Sequence, residues 1–403
     1  MIPFSPPHID EKIVDEVAAA LKSGWITTGP RTKAFEKKIA DFCGIQKVVC
    51  VNSASAGLEL MLHWFGIGPD DEVIVPAYTY TATAEVVLHC GAMPVMVDVN
   101  PDFLISVQNI RKAITPKTKV IIPVDIAGLP CDYEEINHLV NEPVIKAMFR
   151  PANTLQEQLG RILVMSDAAH SLGAIYQGKR TGALTDITVF SFHAVKNLTT
   201  AEGGAIALNL PAPFNLENIY KELCTFSLHG QSKDALAKTK LGNWRYDVLC
   251  AGYKCNMTDI AAAIGLIEID RYDTQILKRR KEIFEAYTKA FGNDDRFEIP
   301  EYATAKRTSS FHVYTLRIRH ITETQRDEIM DKIFEQEVAV NVHFIPLAML
   351  TCYKNLGYSI SDYPVTYDNY AREISLPVYF DLTDEQVQEV IAAVQNAANK
   401  CLT

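Results

Sequence analysis

Asp167 follows the apolar run Ile162-Leu163-Val164-Met165, in the stretch Ser166-Asp167-Ala168-Ala169-His170-Ser171. Lys196 follows the run Thr188-Val189-Phe190-Ser191-Phe192, in the stretch Ser191-Phe192-His193-Ala194-Val195-Lys196-Asn197. Each charged residue thus stands just past a segment that reads as a buried strand. A lysine amine condenses with an aldehyde to give a Schiff base. Once released, it can carry a proton to and from a carbon. A carboxylate paired with a pyridine nitrogen keeps that nitrogen protonated, so the ring can draw electrons. Together the two residues meet the needs of pyridoxal phosphate (PLP) chemistry. Taken singly, each also fits a plainer role, as a loop lysine in water or an aspartate capping a turn.

Two further segments widen the chemical case. Asn52-Ser53-Ala54-Ser55-Ala56-Gly57-Leu58 joins the strand-like Val48-Val49-Cys50-Val51 to a helical stretch at 56–64. Small residues and hydroxyls at a helix N-terminus let backbone N–H groups point at a phosphate; a plain helix cap is the alternative. Pro76-Ala77-Tyr78-Thr79-Tyr80 ends another strand and can place an aromatic lid over a flat ring. The sequence has no G-x-G-x-x-G, no Walker lysine motif and no H-E-x-x-H, so nucleotide-fold and metalloprotease chemistry lack their key residues.

The elements that must position these residues alternate in type. Val73-Ile74-Val75-Pro76, Pro94-Val95-Met96-Val97-Asp98 and Lys119-Val120-Ile121-Ile122-Pro123-Val124 are short and almost wholly apolar, as strands buried on both faces are. Helical patterns lie between them, for example at 82–89. The alternation predicts an α/β fold with a mostly parallel central sheet. Residues 188–192 and 204–208 read as two strands that can form a hairpin around the loop with Lys196. Residues 142–160, with Pro143 and Pro151, read as a surface elaboration. Long helical patterns at 260–280 and 281–291 lead into a strand at 313–318 and helices at 323–335 and 384–399, the last with a Thr383 cap signal. The expected organisation is a large domain over residues 1–270 and a smaller C-terminal α+β domain over 271–403.

Bulk properties exclude several function classes. The 403 residues carry 48% hydrophobic and 22% charged side chains, as a folded globular chain does. With 39 basic against 49 acidic residues, the net charge of −10 argues against non-specific binding to nucleic acid or anionic membrane. The start, Met1-Ile2-Pro3-Phe4-Ser5-Pro6-Pro7, lacks a signal-peptide pattern, and no apolar run reaches membrane-spanning length. Nine scattered cysteines contain no C-x-x-C pair, so no metal site or disulfide framework is expected. A cytoplasmic location follows as the expectation.

At the level of long segments, the sequence resembles the DegT/DnrJ/EryC1 family of PLP-dependent nucleotide-sugar aminotransferases. The most specific match is the run from Ser191-Phe192-His193-Ala194-Val195-Lys196-Asn197 through Leu198-Thr199-Thr200-Ala201-Glu202-Gly203-Gly204. Gly252-Tyr253-Lys254-Cys255-Asn256-Met257-Thr258-Asp259-Ile260, Leu228-His229-Gly230 and Val342-His343-Phe344-Ile345-Pro346 are further blocks. Matching segments extend from Thr27-Thr28-Gly29-Pro30 to Ser375-Leu376-Pro377.

The resemblance implies the PLP-transferase fold type I and a set of roles. Lys196 would hold the cofactor and carry the proton. Asp167 would pair with the pyridine nitrogen, His170 would lie beside the ring, and Tyr80 would stack on it. Ser55, Ser191 and the N–H groups around Ala54 and Ala56 would hold the phosphate. Asn256 would reach the phosphate of a neighbouring subunit, which implies a homodimer with shared active sites. Thr28, His229 and His343 are candidates for substrate binding. Glutamate would donate the amine and leave as 2-oxoglutarate, and a nucleotide-diphosphate keto-sugar would receive it. The Leu228-His229-Gly230-Gln231-Ser232-Lys233-Asp234-Ala235 block resembles members acting on carbon 4 of UDP-4-keto-6-deoxy sugars with a 2-acetamido group, which feed capsule, lipopolysaccharide or glycan assembly. Two alternatives are a sugar dehydratase of the same fold and, from a different class, a non-catalytic PLP-binding regulator. A sugar dehydratase would carry histidine at the cofactor lysine. A non-catalytic PLP-binding regulator would carry an added DNA-binding domain.

Overall fold

The computed structural model describes residues 1–232 and 245–402. Short β-branched runs form β1 (Lys47–Val51), β2 (Glu72–Pro76), β3 (Met93–Val97), β4 (Thr118–Ile121) and β5 (Leu163–Asp167). A small hairpin of β6 (Ile175–Tyr176) and β7 (Lys179–Arg180) precedes β8 (Ile187–Ser191) and β9 (Gly204–Leu208). Seven strands make one sheet in the order β1-β9-β8-β5-β4-β2-β3. Pairing is parallel from β8 through β5, β4 and β2 to β3, whereas β9 runs antiparallel to both β8 and β1. This is the α/β, mostly parallel arrangement expected from the alternating runs.

The continuous apolar character of the strands has a packing cause. Val49 and Val51 of β1 enter a core shared with Leu58 and Leu62 of the helix Ala54–Trp64. Val48 and Cys50 enter an opposite core with Phe35 and Ile39 of the helix Pro30–Cys43. Both faces of the sheet are therefore covered, and an alternating polar pattern has no place there.

Strand register brings the chemical residues to one end. In the parallel β5–β8 pair, Asp167 lies opposite Val189. In the antiparallel β8–β9 pair, Ser191 lies opposite Gly204. The expected hairpin forms, and its connection carries Lys196 past the same sheet end that presents Asp167. At Gly204 an added Cβ would come within 2.6 Å of the Ala54 backbone nitrogen. That space lets the N-terminus of the helix Ala54–Trp64 lie directly on β9.

The chain then builds a second layer. The helix Asp259–Arg271 passes through a wide π-type turn at Tyr272–Leu277 into the helix Lys278–Phe291. β10 (Phe297–Glu298), β12 (Tyr314–Ile318) and β13 (Glu373–Leu376) form an antiparallel sheet in the order β10-β12-β13. β11 (Arg307–Thr308) instead joins β6 and β7. Phe284, Tyr287, Leu316, Ile374 and Val394 of the helix Asp384–Cys401 share a core with Ile2. Ile2 is tied there by hydrogen bonds to Glu337 and Ala339, so the two ends of the chain pack together. Residues 142–160 are more deeply engaged than a surface elaboration. They form the helices Pro143–Met148 and Thr154–Leu159, and Ile145 and Phe149 are buried. Gln156 is buried too, donating to the Phe65 carbonyl that ends the neighbouring helix.

Gly204→Ala is expected to push the Ala54 turn off β9 and to cost about 1–3 kcal/mol, as overpacking does. Urea unfolding measures it. Unchanged stability would mean that the turn moves freely and that the close approach has no structural role.

Candidate functional site

The sheet end opens into a cavity of about 400 Å³. Ala54, Ser55, Tyr80, Asp167, His170, Ser191, Lys196 and His343 all line it. Eight candidates scattered over nearly 300 residues of sequence are thus brought into one chamber. Ala56, Asn256, Thr28 and His229 do not line it.

Asp167 sits at the last position of β5 and is buried. Its Oδ2 accepts from the Thr83 hydroxyl at 2.8 Å, and its Oδ1 accepts from the Ala169 amide at 3.2 Å. Burial pushes this carboxyl up, while Thr83, the Ala169 amide and the Lys196 charge act the other way. Lys196 forms no side-chain hydrogen bond or ion pair among the described residues. Burial lowers its amine to about 8, against the raising influence of Asp167. Such an amine keeps a minor but appreciable neutral, nucleophilic fraction near physiological pH, far more than an exposed lysine does.

Histidines line the opposite side of the chamber. His170 Nδ1 accepts from the Ala127 amide at 3.2 Å. Its hydrogen therefore sits on Nε2, because a neutral imidazole carries only one. Burial, followed by Lys196 and His343, holds His170 well below its ordinary pKa. His312, absent from the sequence candidates, lies with its ring centroid 4.3 Å from that of His170. Its Nδ1 is 2.7 Å from Asn197 Oδ1, while Asn197 Nδ2 donates to the Ser310 carbonyl. The residue after Lys196 thus ties the lysine loop to His312.

The N-terminus of the helix Ala54–Trp64 supplies the anion-binding part. Ser53 caps it by accepting from the Ala56 amide at 3.1 Å. The Ala56 N–H is consequently engaged within the helix. The Ala54 and Ser55 amides make no hydrogen bond to a described residue. Ser191 accepts only a long contact from the His193 amide, at 3.4 Å, and its own hydrogen remains available. Two orphan amides and two hydroxyls at a helix N-terminus form a donor set suited to a phosphate.

Aromatic residues close the chamber. Tyr80 is 58% exposed at the mouth, with its ring centroid 5.5 Å from Phe344. Phe4 stacks on His343 at 5.4 Å and also lines the cavity. Phe4, Thr83 and His312 were not found by sequence reasoning. Thr83 lies three residues past the Tyr78-Thr79-Tyr80 segment, in the first turn of the helix Ala82–His89, and that spacing was the only available signal. Phe4 and His312 belong to no chemical pattern, and only the fold brings them in.

Outside the cavity, Thr28 and Asn256 form their own cluster. Asn256 Nδ2 donates to Thr28 Oγ1, which donates to the Met257 carbonyl, each at 2.5 Å. His229 lies beside Tyr253, whose carbonyl accepts from its amide. Of the block containing His229, Lys233, Asp234 and Ala235 lie outside the described residues.

The burial of Lys196 predicts unusual amine reactivity. Labelling by trinitrobenzenesulfonate should rise with a midpoint near pH 8. Asp167→Asn should move that midpoint lower, because the carboxylate favours the charged amine. A midpoint in the range of exposed lysines would refute this environment.

Comparison with known proteins places these features in a family. The model of the DegT/DnrJ/EryC1/StrS aminotransferase family matches residues 7–395. The spore coat polysaccharide biosynthesis protein SpsC of Bacillus subtilis is 35% identical over 98% of this chain and 96% of its own length. Spr1654 of Streptococcus pneumoniae, assigned as a sugar aminotransferase and solved in its PMP form, is 44% identical. It superposes with a TM-score of 0.96 over 100% of both chains. PseC of Helicobacter pylori, an aminotransferase in pseudoaminic acid biosynthesis, is 25% identical with a TM-score of 0.87 over 99% of both chains. On this evidence the chain belongs to the DegT/DnrJ/EryC1/StrS aminotransferase family.

Proposed function

We propose that this chain moves the amine of glutamate to carbon 4 of a UDP-linked 4-keto-6-deoxy sugar bearing a 2-acetamido group. The observation that carries the transaminase part is the half-buried Lys196 amine, without a hydrogen-bond partner among the described residues, sharing one cavity with Asp167 and the orphan amides of Ala54 and Ser55. The donor set fits PLP, a flat ring with a carbonyl, a ring nitrogen and a phosphate. Asp167 would hold the ring nitrogen, with Thr83 fixing the carboxylate's orientation. Ala54, Ser55 and Ser191 would hold the phosphate. Tyr80 would lie over the ring at the mouth, and the His170 Nε2–H would donate beside it. When bound, PLP supplies an electron sink for charge developing on the substrate carbon.

Lys196 is the base of the reaction. Its lowered pKa raises the fraction of neutral amine that can take a proton from the substrate carbon and return it. Similarity to Spr1654 supports a sugar substrate, and similarity to SpsC supports a place in polysaccharide biosynthesis. The carbon, the nucleotide and glutamate are the finer part of the proposal. Thr28 and Asn256, hydrogen-bonded to each other away from this cavity, are proposed to serve the site of a second copy. His343 is proposed to face the sugar.

Glutamate added to PLP-loaded protein should abolish the long-wavelength absorption of the bound cofactor, and the proposed keto-sugar should restore it. Asp167→Asn should slow the first step by about 100-fold or more, as loss of a preorganised electrostatic partner does. Lys196→Ala should remove both responses. PLP-loaded protein whose spectrum ignores glutamate would sink the proposed donor. A response to glutamate without recovery by this sugar would sink the proposed acceptor.

A further inference from the structure

A chain of polar contacts leads from the cavity into the second core. The segment before His343 pairs with β13 through an Asn341–Ser375 bridge. This pairing sets His343 Nδ1 2.9 Å from Ser375 Oγ. Ser375 Oγ lies in turn 2.5 Å from Glu373 Oε1, and Glu373 Oε2 accepts from the His343 amide at 3.1 Å. Glu373 and Ser375 are fully buried, whereas His343 lines the cavity. The outer nitrogen, Nε2, makes no hydrogen bond to a described residue.

We propose that His343, Ser375 and Glu373 form a proton relay whose state decides whether His343 Nε2 offers the cavity a lone pair or an N–H. This inference rests on the reading of the cavity as the sugar site. With Glu373 ionised, Ser375 donates to it and accepts from Nδ1–H, so Nε2 is an acceptor. With Glu373 protonated on Oε1, the carboxyl donates to Ser375 and Ser375 donates to Nδ1, so Nε2–H is a donor. The two states interconvert without charging the ring. A proton gained at Nε2 is matched by the Nδ1 proton passing to Ser375 Oγ and the Ser375 proton passing to Glu373 Oε1. His343 begins and ends neutral, and Glu373 ends protonated. Glu373 and Ser375 are positioning residues that act through His343. His343 itself meets a sugar hydroxyl, as acceptor in one state and donor in the other.

The surroundings favour this neutral exchange. Among the described residues Glu373 has no ion pair. Arg317 lies opposite it on β12 but is bonded to Glu298, Asn369 and the Pro101 carbonyl. Arg326 reaches its main-chain carbonyl rather than its carboxylate. Tyr78 faces it from the loop after β2. Burial raises the Glu373 carboxyl to about 8, against Ser375, the His343 amide and the two arginines. On the cavity side His343 faces Lys196, His170 and His312. Burial and the Lys196 charge lower His343 to about 4. A protonated glutamate is thus accessible near neutrality, and a histidine cation is not.

Nitrogen NMR of the full-length protein with labelled histidine tests the relay. Raising the pH through about 8 should convert the His343 Nε2 signal from protonated to unprotonated, and Nδ1 in the opposite sense, with no imidazolium between. Glu373→Gln should abolish the step. Ser375→Ala, which leaves the backbone bridge in place, should abolish it as well. Ser375→Ala should also slow recovery of the PLP spectrum by keto-sugar by about 10-fold, as loss of one oriented hydrogen bond does; recovery at the wild-type rate would overturn the link to the sugar. A single tautomer at every pH in the wild-type protein, a His343 that titrates as a cation, or a step that survives Glu373→Gln would overturn the relay. The tautomer reading needs no turnover. A protein that shows the step yet ignores glutamate keeps the relay and refutes the proposed donor.

Discussion

A lysine amine held away from water beside a buried carboxylate sets the conditions for everything around it. Removing an ammonium from solvent is unfavourable, and the amine responds by giving up its proton more readily. Asp167 opposes that tendency, and its own burial makes its carboxylate less comfortable as an anion. Neither group is neutralised by a hydrogen-bonded ion pair with the other. The chamber between them is left for a ligand that can satisfy both. The neighbouring histidines stay neutral for the same reason: His170 and His312 are buried, His343 is half-buried at the cavity wall, and each feels the Lys196 charge.

The scaffold meets this constraint with strand ends rather than flexible loops. Parallel pairing of β5 with β8 fixes Asp167 relative to Ser191, and the β8–β9 hairpin returns the lysine loop across the same edge. Gly204 lets a helix N-terminus lie on β9, so its free amides enter the chamber. Hydrogen bonds among Thr79, Thr83 and Asp167 then lock the acid in place. A site on such rigid elements holds its donors in position before a ligand arrives.

The far wall is made differently. Phe4 comes from near the start of the chain, and His312, His343 and Phe344 come from connections around the second sheet. Packing of Ile2 into the second core holds Phe4 against His343. The cavity therefore depends on both cores. One supplies the acid, the amine and the anion-binding turn. The other supplies the aromatic wall and the polar chain to Glu373.

Local sequence determined the strands, the hairpin around Lys196 and the charged residues that follow strand ends. Those features depend on periodicity and on neighbours a few positions away, and both can be read along the chain. Resemblance to a family identified eight of the cavity-lining residues in advance. The packed state of residues 142–160 was not legible, because Gln156 and Phe149 owe their burial to partners remote in sequence. The Ser53 cap on the Ala56 amide agrees with the helix-cap reading of that segment, but only the fold places the free Ala54 and Ser55 amides in the chamber. Thr83, His312 and Phe4 belong to no local pattern, and neither does the link from His343 through Ser375 to Glu373. Sequence by itself determined which chemistry was present. Tertiary structure alone decided which groups face one another and which protons they share, because hydrogen-bond partnership and desolvation arise only when distant segments are packed together.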